Sequence, residues 1–216
     1  MARPFLYVLA GVNGAGKSSL GGHALRQIGI EWFNPDTFAR DLREATGSPP
    51  EDANAAAWHE GVRQLDAAIA NGTSYAFETT LGGNTIARKL REASATHDVL
   101  MWFCGLDSPE HHVERVRLRV SRGGHDIPET KIRERYVSSI ANLTALLPQL
   151  AQLQVYDNST DAAPGSPVAD PRLLLQMEHG RITWPTHARA LRDTPDWAKP
   201  ILETALSQVE SGASSR

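Results

Sequence analysis

Residues 10–19 read AGVNGAGKSS, and within them Gly11, Gly16, Lys17 and Ser18 satisfy G-x-x-x-x-G-K-S/T without a mismatch. Such a stretch is suited to phosphate. Glycines let successive backbone N–H groups turn toward one point and form an anion nest. A helix that starts at the lysine adds its unpaired amides and the positive end of its dipole. In this motif Lys17 reaches the β- and γ-phosphates and the Ser18 hydroxyl ligates Mg2+. The expected nucleotide is ATP, held by Gly11, Asn13, Gly14, Ala15, Gly16, Lys17, Ser18 and Ser19, with Ser18 as the metal ligand.

A phosphate loop does not by itself distinguish a kinase from a motor or a switch. "SRGGHD" lacks the hydrophobic lead and glutamine of an ABC-type signature, and no guanine-reading NKxD is present. A Walker B acid is expected after four apolar residues, and "LMWFCGLD" brings Asp107 near that place. Two residues intervene and no Glu follows, so "DSPE" reads as a helix cap with Pro109 at the first helical position.

The small-molecule kinase plan needs an in-line nucleophile, cations around the γ-phosphate and exclusion of water. Asp36 in "FNPDTFAR" is a candidate base for an acceptor hydroxyl; the alternative is an N-cap for a helix from Thr37. Glu78 closes the apolar run "YAFE", and Thr79 and Thr80 follow as candidate acceptor contacts. Val113, Val116 and Val120 share one helical face, leaving Arg115, Arg119 and Arg122 on the other. That basic stripe runs into "RGGHDIPE", whose paired glycines suggest the hinge of a lid. Arg119 and Arg122 are the candidate catalytic cations, Arg122 also as a nucleotide contact. Arg133 and Arg135 could join from the next helix, Arg135 as an acceptor contact. His111, His112 and His125 read as surface residues rather than metal ligands.

These groups must be carried by elements. "FLYVLAG" reads as a strand buried on both faces, followed by a helix from Lys17 to about Ile28. "EWFNPDT" reads as a second strand ended by Pro35, lying beside the first. A helix over 51–70 places Trp58, Val62, Leu65 and Ile69 on one face. Then follow strand "SYAFETT", helix 84–95, strand "HDVLMWFCGL", helix 109–122, helix 129–147 and strand "LQVYDN". "RLLLQMEHGRITW" reads as a β-hairpin and 195–208 as a closing helix. The expected fold is α/β: a P-loop, kinase-like domain with a five-stranded, mainly parallel sheet flanked by helices, plus a C-terminal hairpin. The domain spans 1–208 with a lid at 115–135; 209–216 reads as a frayed tail.

Composition sets outer limits. A chain of 216 residues with net charge −3 offers nucleic acid and acidic membranes no bulk attraction, although 115–135 holds seven of the 22 basic residues. Cys104 is the single cysteine, which excludes an internal disulfide and suits a reducing compartment. Its place in an apolar run suits a buried hydrophobe. No segment approaches the length of a membrane span, so the reading is cytoplasmic. A polynucleotide kinase and an ATP-driven switch remain alternatives.

The ordered set "AGVNGAGKSSL", "FNPDTFAR", "YAFETTLGG", "RVRLRVSRGGHDIPETKIRERY", "SSIANL" and "VYDNS" resembles the zeta-toxin family of P-loop kinases, more closely its short bacterial branch. The resemblance runs from about Leu6 to Asn158. It implies ATP-dependent phosphorylation of a UDP-N-acetyl amino sugar, and a small helical antitoxin as partner. By motif, Lys17 and Ser18 would hold phosphates and Mg2+, and Asp36 would act on the sugar hydroxyl. Glu78 and Thr80 would lie in the acceptor pocket, and Arg122, with Arg119, would match the transition-state arginines.

Overall fold

A computed structural model describes residues 3–18, 20–21, 29–161 and 169–213. Its centre is β1 (Phe5–Ala10), whose residues from Leu6 to Ala10 are all buried. Continuous apolarity is what a strand covered on both faces requires. β1 pairs in parallel with β2 (Tyr75–Thr79) on one side and β3 (Asp98–Gly105) on the other. β4 (Gln152–Asp157) continues the parallel set; β5 (Arg172–Glu178) and β6 (Arg181–Trp184) add antiparallel strands. The order is β2-β1-β3-β4-β5-β6.

Two details differ from the sequence reading. The hairpin is not an appendage: β5 pairs with β4, so it extends the main sheet to six strands. "EWFNPDT" contributes one bridge, Phe33 to Phe77, rather than a strand, and it lies outside β2 instead of beside β1. Proline explains the brevity. Pro35 has no N–H to donate and instead opens helix α1 (Pro35–Thr46), with Asn34 as its N-cap.

The remaining helices are α2 (Pro50–Asn71), α3 (Asn84–Ala93), α4 (Pro109–Ser121), α5 (Glu129–Leu146), α6 (Ala188–Arg192) and α7 (Lys199–Ala213). Lys17, Ser18, Leu20 and Gly21 are helical, so the turn after the phosphate loop starts where expected; residues 22–28 lie outside the described residues. Among the described residues no helix is long and apolar enough to cross a membrane.

The main core joins Leu6, Val8, Phe77, Met101 and Phe103 of the sheet to Leu143, Leu146, Trp197 and Ile201 of the flanking helices. A smaller cluster gathers Val12 from the phosphate loop, Val113 and Val116 of α4, Ile127 of the connecting segment and Ile132 of α5. Each such side chain contributes roughly 2 kcal/mol on burial. The cluster therefore ties the loop and the arginine-bearing segment into one unit.

Gly11 leaves β1 at φ 137°, and a Cβ there would overlap the carbonyl oxygen of Cys104. Neither neighbour is a flexible side chain. Gly11→Ala should therefore cost at least about 3 kcal/mol, a fall of about 6–12 °C in thermal midpoint for a domain of this size. A shift below about 2 °C in a melting experiment would contradict this account of the turn.

Candidate active site

The loop after β1 is held open by its own backbone. The Ala15 N–H donates to Val12 O at 3.1 Å, and Gly14 and Gly16 take φ values of 84° and 87°. Among the described residues the amides of Asn13, Gly14 and Gly16 donate to no carbonyl. Unclaimed amides in a glycine turn are the donors an anion nest needs. Cys104, with its thiol pushed up to about 12 by burial, donates from Sγ to Ala15 O and supports the loop from below.

Sheet register sets what faces the loop. Leu9 pairs with Glu78, so a carboxylate from β2 comes alongside the start of the cradle. Lys17 Nζ lies 3.5 Å from Glu78 Oε1 and donates to Val12 O at 3.3 Å. The Ser18 hydroxyl donates to Glu78 Oε2 at 2.8 Å; Asn34 Nδ2 donates to the same carboxylate oxygen at 3.0 Å. Lys17 and Glu78 are both buried. The cluster is compact because a buried charge is tolerated only when paired and hydrogen-bonded. A serine hydroxyl and a carboxylate oxygen in contact are the hard oxygen donors that Mg2+ takes, so the residues present fit that ion. Ser19 lies outside the described residues.

The arginines separate into distinct roles. α4 begins at Pro109 as expected, with Ser108 rather than Asp107 as the cap: its Oγ accepts from His111 N at 3.2 Å. Val113 and Val116 are buried and Val120 packs beside them, as their spacing requires. Arg115 starts beside Gly14 of the loop, where a Cβ on that glycine would lie 3.4 Å from the Arg115 Cβ, and its guanidinium pairs with Asp161 at 2.6 Å. Arg119 meets Asp36 instead: Nη1 lies 3.4 Å from Asp36 Oδ2, and Nη2 donates to His125 O at 3.0 Å. Arg122 caps the exposed end of α4, and its side chain makes no hydrogen bond or ion pair among the described residues. Arg133 is taken up by Glu110 and Glu129, whereas Arg135 donates to Asn13 Oδ1 at 2.8 Å. The glycine pair wraps Arg119. The Gly124 N–H donates to Arg119 O, and a Cβ at Gly124 would meet Arg119 Cγ at 2.6 Å.

Asn13, Asp36, Glu78, Thr79, Thr80 and Arg135 line one cavity of about 600 Å3. Asn34 Oδ1 accepts from the amides of Asp36 and Thr37, so the capping duty falls on Asn34 and leaves the exposed Asp36 carboxylate free of it. Asp36 faces Arg119 and, at 3.8 Å, His125 Nε2. Thr79 Oγ1 accepts from Leu81 N and Thr80 Oγ1 from Gly82 N, so each hydroxyl keeps its proton for a ligand. The opposite wall is apolar, with Phe33, Val62, Ile86 and Trp58, the last 48% exposed. The α2 stripe thus divides: Leu65 enters the core, while Trp58 and Val62 face the cavity.

Sequence reasoning missed Asn34, Trp58 and His112. Asn before Pro-Asp is a legible capping signal. His112 is no surface residue: it is 1% exposed, and its ring packs edge-on against Tyr136. The signal was its place four residues before Val116, on the apolar stripe. Burial lowers its pKa from 6.5 to about 4, aided by the nearby Lys17, His111 and Arg115 charges. A histidine depressed in the folded state favours folding fully above about pH 6.5 and loses that contribution as pH falls toward 4. Thermal melts between pH 7 and 4 should accordingly fall less steeply for His112→Leu than for the parent. Parallel pH profiles would refute this.

No protein-family model matches the chain. An uncharacterized protein of Haemophilus influenzae is 28% identical over 128 residues, covering 58% of this chain and 88% of that protein. Three solved structures share the fold. AvrRxo1-ORF1, crystallised with ORF2 and ATP, superposes with a TM-score of 0.65 at 13% identity over 94% of this chain; the chain spans 64% of its length. The PezAT chromosomal toxin–antitoxin system of Streptococcus pneumoniae gives 0.56 at 13% identity, over 98% of this chain and 88% of that one. A candidate kinase from Chloroflexus aurantiacus gives 0.52 at 17% identity, over 62% of this chain and 78% of that one. The chain has the α/β fold of the P-loop kinases.

Proposed function

We propose that this chain is an ATP-dependent phosphotransferase of zeta-toxin type, moving the γ-phosphate to a hydroxyl of a small acceptor. One observation carries the reading: Asn13 of the phosphate loop and the carboxylates of Asp36 and Glu78 line the same cavity. A cradle for a triphosphate thereby opens onto a chamber with room for a second substrate. A motor or switch has no need of that chamber.

The proposed roles are these. Lys17 and the loop amides bind the phosphates, and Ser18 with Glu78 would hold Mg2+. When bound, that ion neutralises charge on the triphosphate. Asp36 orients the acceptor hydroxyl and takes its proton. Arg119 is paired with Asp36 at 3.4 Å; its proposed role is to turn its guanidinium onto the γ-phosphate when nucleotide binds and so release the Asp36 carboxylate for the acceptor. Arg122 is proposed as a second cation that engages when nucleotide is present. The catalytic unit is residues 1–208, with 115–135 as the lid, acting in the cytoplasm.

A UDP-N-acetyl amino sugar is the first acceptor to test. The Trp58–Phe33 wall suits a base or sugar ring, and Arg135 and Lys131 bring positive charge to the same cavity. A small antitoxin-like protein is the proposed partner, by analogy with the PezAT and AvrRxo1 complexes. Incubation with Mg-ATP and a panel of UDP-sugars, nucleosides and NAD should label one acceptor. Fast ATP hydrolysis with every acceptor unlabelled would defeat the kinase reading.

A further inference from the structure

We infer that His112 is a positioning residue for the phosphate loop, fixing the orientation of the Asn13–Gly14 peptide. This rests on the proposal that the loop binds ATP. The ring nitrogen Nδ1 lies 2.9 Å from Asn13 O. A carbonyl oxygen only accepts, so Nδ1 carries the proton and donates. The ring is then the neutral tautomer with a bare Nε2, which suits its buried surroundings.

The consequence lies in the peptide plane. In a trans peptide, C=O and the following N–H point in opposite directions. Pinning the Asn13 carbonyl to α4 therefore aims the Gly14 amide away from α4. That amide is among those without a carbonyl partner, hence free for an anion. If the peptide flipped, an oxygen would replace a donor at the cradle and repel phosphate. Gly14 takes a positive φ of 84°, where glycine rotates with little penalty, so the peptide needs an external restraint. The loop tip is held from a second side by Arg135, which donates to the Asn13 side chain. Asn13 is thus gripped by α4 through its backbone and by α5 through its carboxamide.

A purely structural role for His112 fits less well. Among the described residues buried Nε2 has no hydrogen-bond partner, so half of the ring's polar capacity is unsatisfied there. An aliphatic residue at this place on the valine stripe would bury no orphan nitrogen but would leave Asn13 O without this donor. The histidine is explained by the donor it supplies to Asn13.

Two variants separate the possibilities. His112→Leu keeps apolar volume and removes the donor; His112→Asn offers an amide N–H near the position of Nδ1. ATP affinity is read by calorimetry, and hydrogen exchange of the peptide covering residues 11–16 is read without nucleotide. For His112→Leu the ATP Kd should rise roughly fivefold to tenfold, as expected for one lost hydrogen bond. Loop exchange should accelerate by a similar factor, with the thermal midpoint at pH 7.5 lowered by no more than about 4 °C. His112→Asn should restore most of both. Parent-like affinity and exchange in His112→Leu, or equal losses in the two variants, would overturn the inference. The exchange arm is independent of nucleotide. A parent protein that binds no ATP would count against the functional reading, while loop exchange would still decide the role of His112.

Discussion

In an Asp36→Asn variant, phosphoryl transfer falls by about 10²- to 10⁴-fold, the range of a general base, while ATP affinity stays within about threefold. The asymmetry follows from where the carboxylate sits. Asp36 lines the cavity and faces Arg119, and among the described residues its carboxylate makes no hydrogen bond or ion pair with the glycine loop, Lys17 or Ser18. Asparagine retains its shape, so an acceptor can still be held; it cannot take the proton. Folding should be nearly unaffected, because the cap of α1 is Asn34 and the Arg119 pair is partly exposed. A steady-state assay together with a calorimetric ATP titration separates the two effects. Full transfer in the variant would remove Asp36 from the chemistry. Loss of ATP binding would place it in the nucleotide site instead.

The second large effect is at Lys17, where function and stability come apart. Lys17→Met should lower transfer by at least about 10²-fold, through loss of a cation at the developing charge. It should also cost about 3 kcal/mol, because Glu78 would be left as a buried carboxylate without its partner. Adding Glu78→Gln removes that orphaned charge. The double variant should recover most of the stability and none of the activity, as measured by denaturant titration and phosphoryl transfer. Stability that is equal in the single variant and the parent would mean that the Lys17–Glu78 pair contributes nothing to the fold.

These two predictions draw on parts of the site that differ in how readily they can be read from sequence. The glycine turn after β1 was legible, because the motif specifies backbone conformation and two side chains within eight residues. Most strands and helices were legible for the same kind of reason: continuous apolarity for β1 and β3, period-3.6 stripes for α4 and α5, and Pro or Gly at their ends. "EWFNPDT" misled because β-rich composition over three residues cannot outweigh Pro35, which ended pairing after one bridge. Sheet order was not legible, and with it went the contact between Glu78 and Ser18: Glu78 reads as an acid at a strand end, and only the Leu9–Glu78 register brings it to the cradle. The arginine stripe was legible as a face but not residue by residue. Arg115 and Arg133 pair with the carboxylates of Asp161 and Glu110, while Arg119, packed against Gly124, pairs with Asp36.

Glu78 also shows why the cradle and the chamber act together. Its oxygens touch Lys17, Ser18 and Asn34, and Asn34 caps the helix that carries Asp36. Two hydrogen bonds and a helix cap thus connect Ser18 at the loop to the helix that carries Asp36. Arg119 and His125, from α4 and the segment that follows it, meet the same Asp36 carboxylate.

The central claim is that nucleotide and acceptor meet in one chamber. Its most direct test is a pulse–chase partition. Enzyme is loaded with γ-phosphate-labelled Mg-ATP, then mixed with an excess of unlabelled ATP and the acceptor identified from the panel. The account predicts that most of the bound label appears on the acceptor hydroxyl, and that Asp36→Asn abolishes this transfer. Label released wholly as inorganic phosphate, at the same rate with and without acceptor, would contradict it.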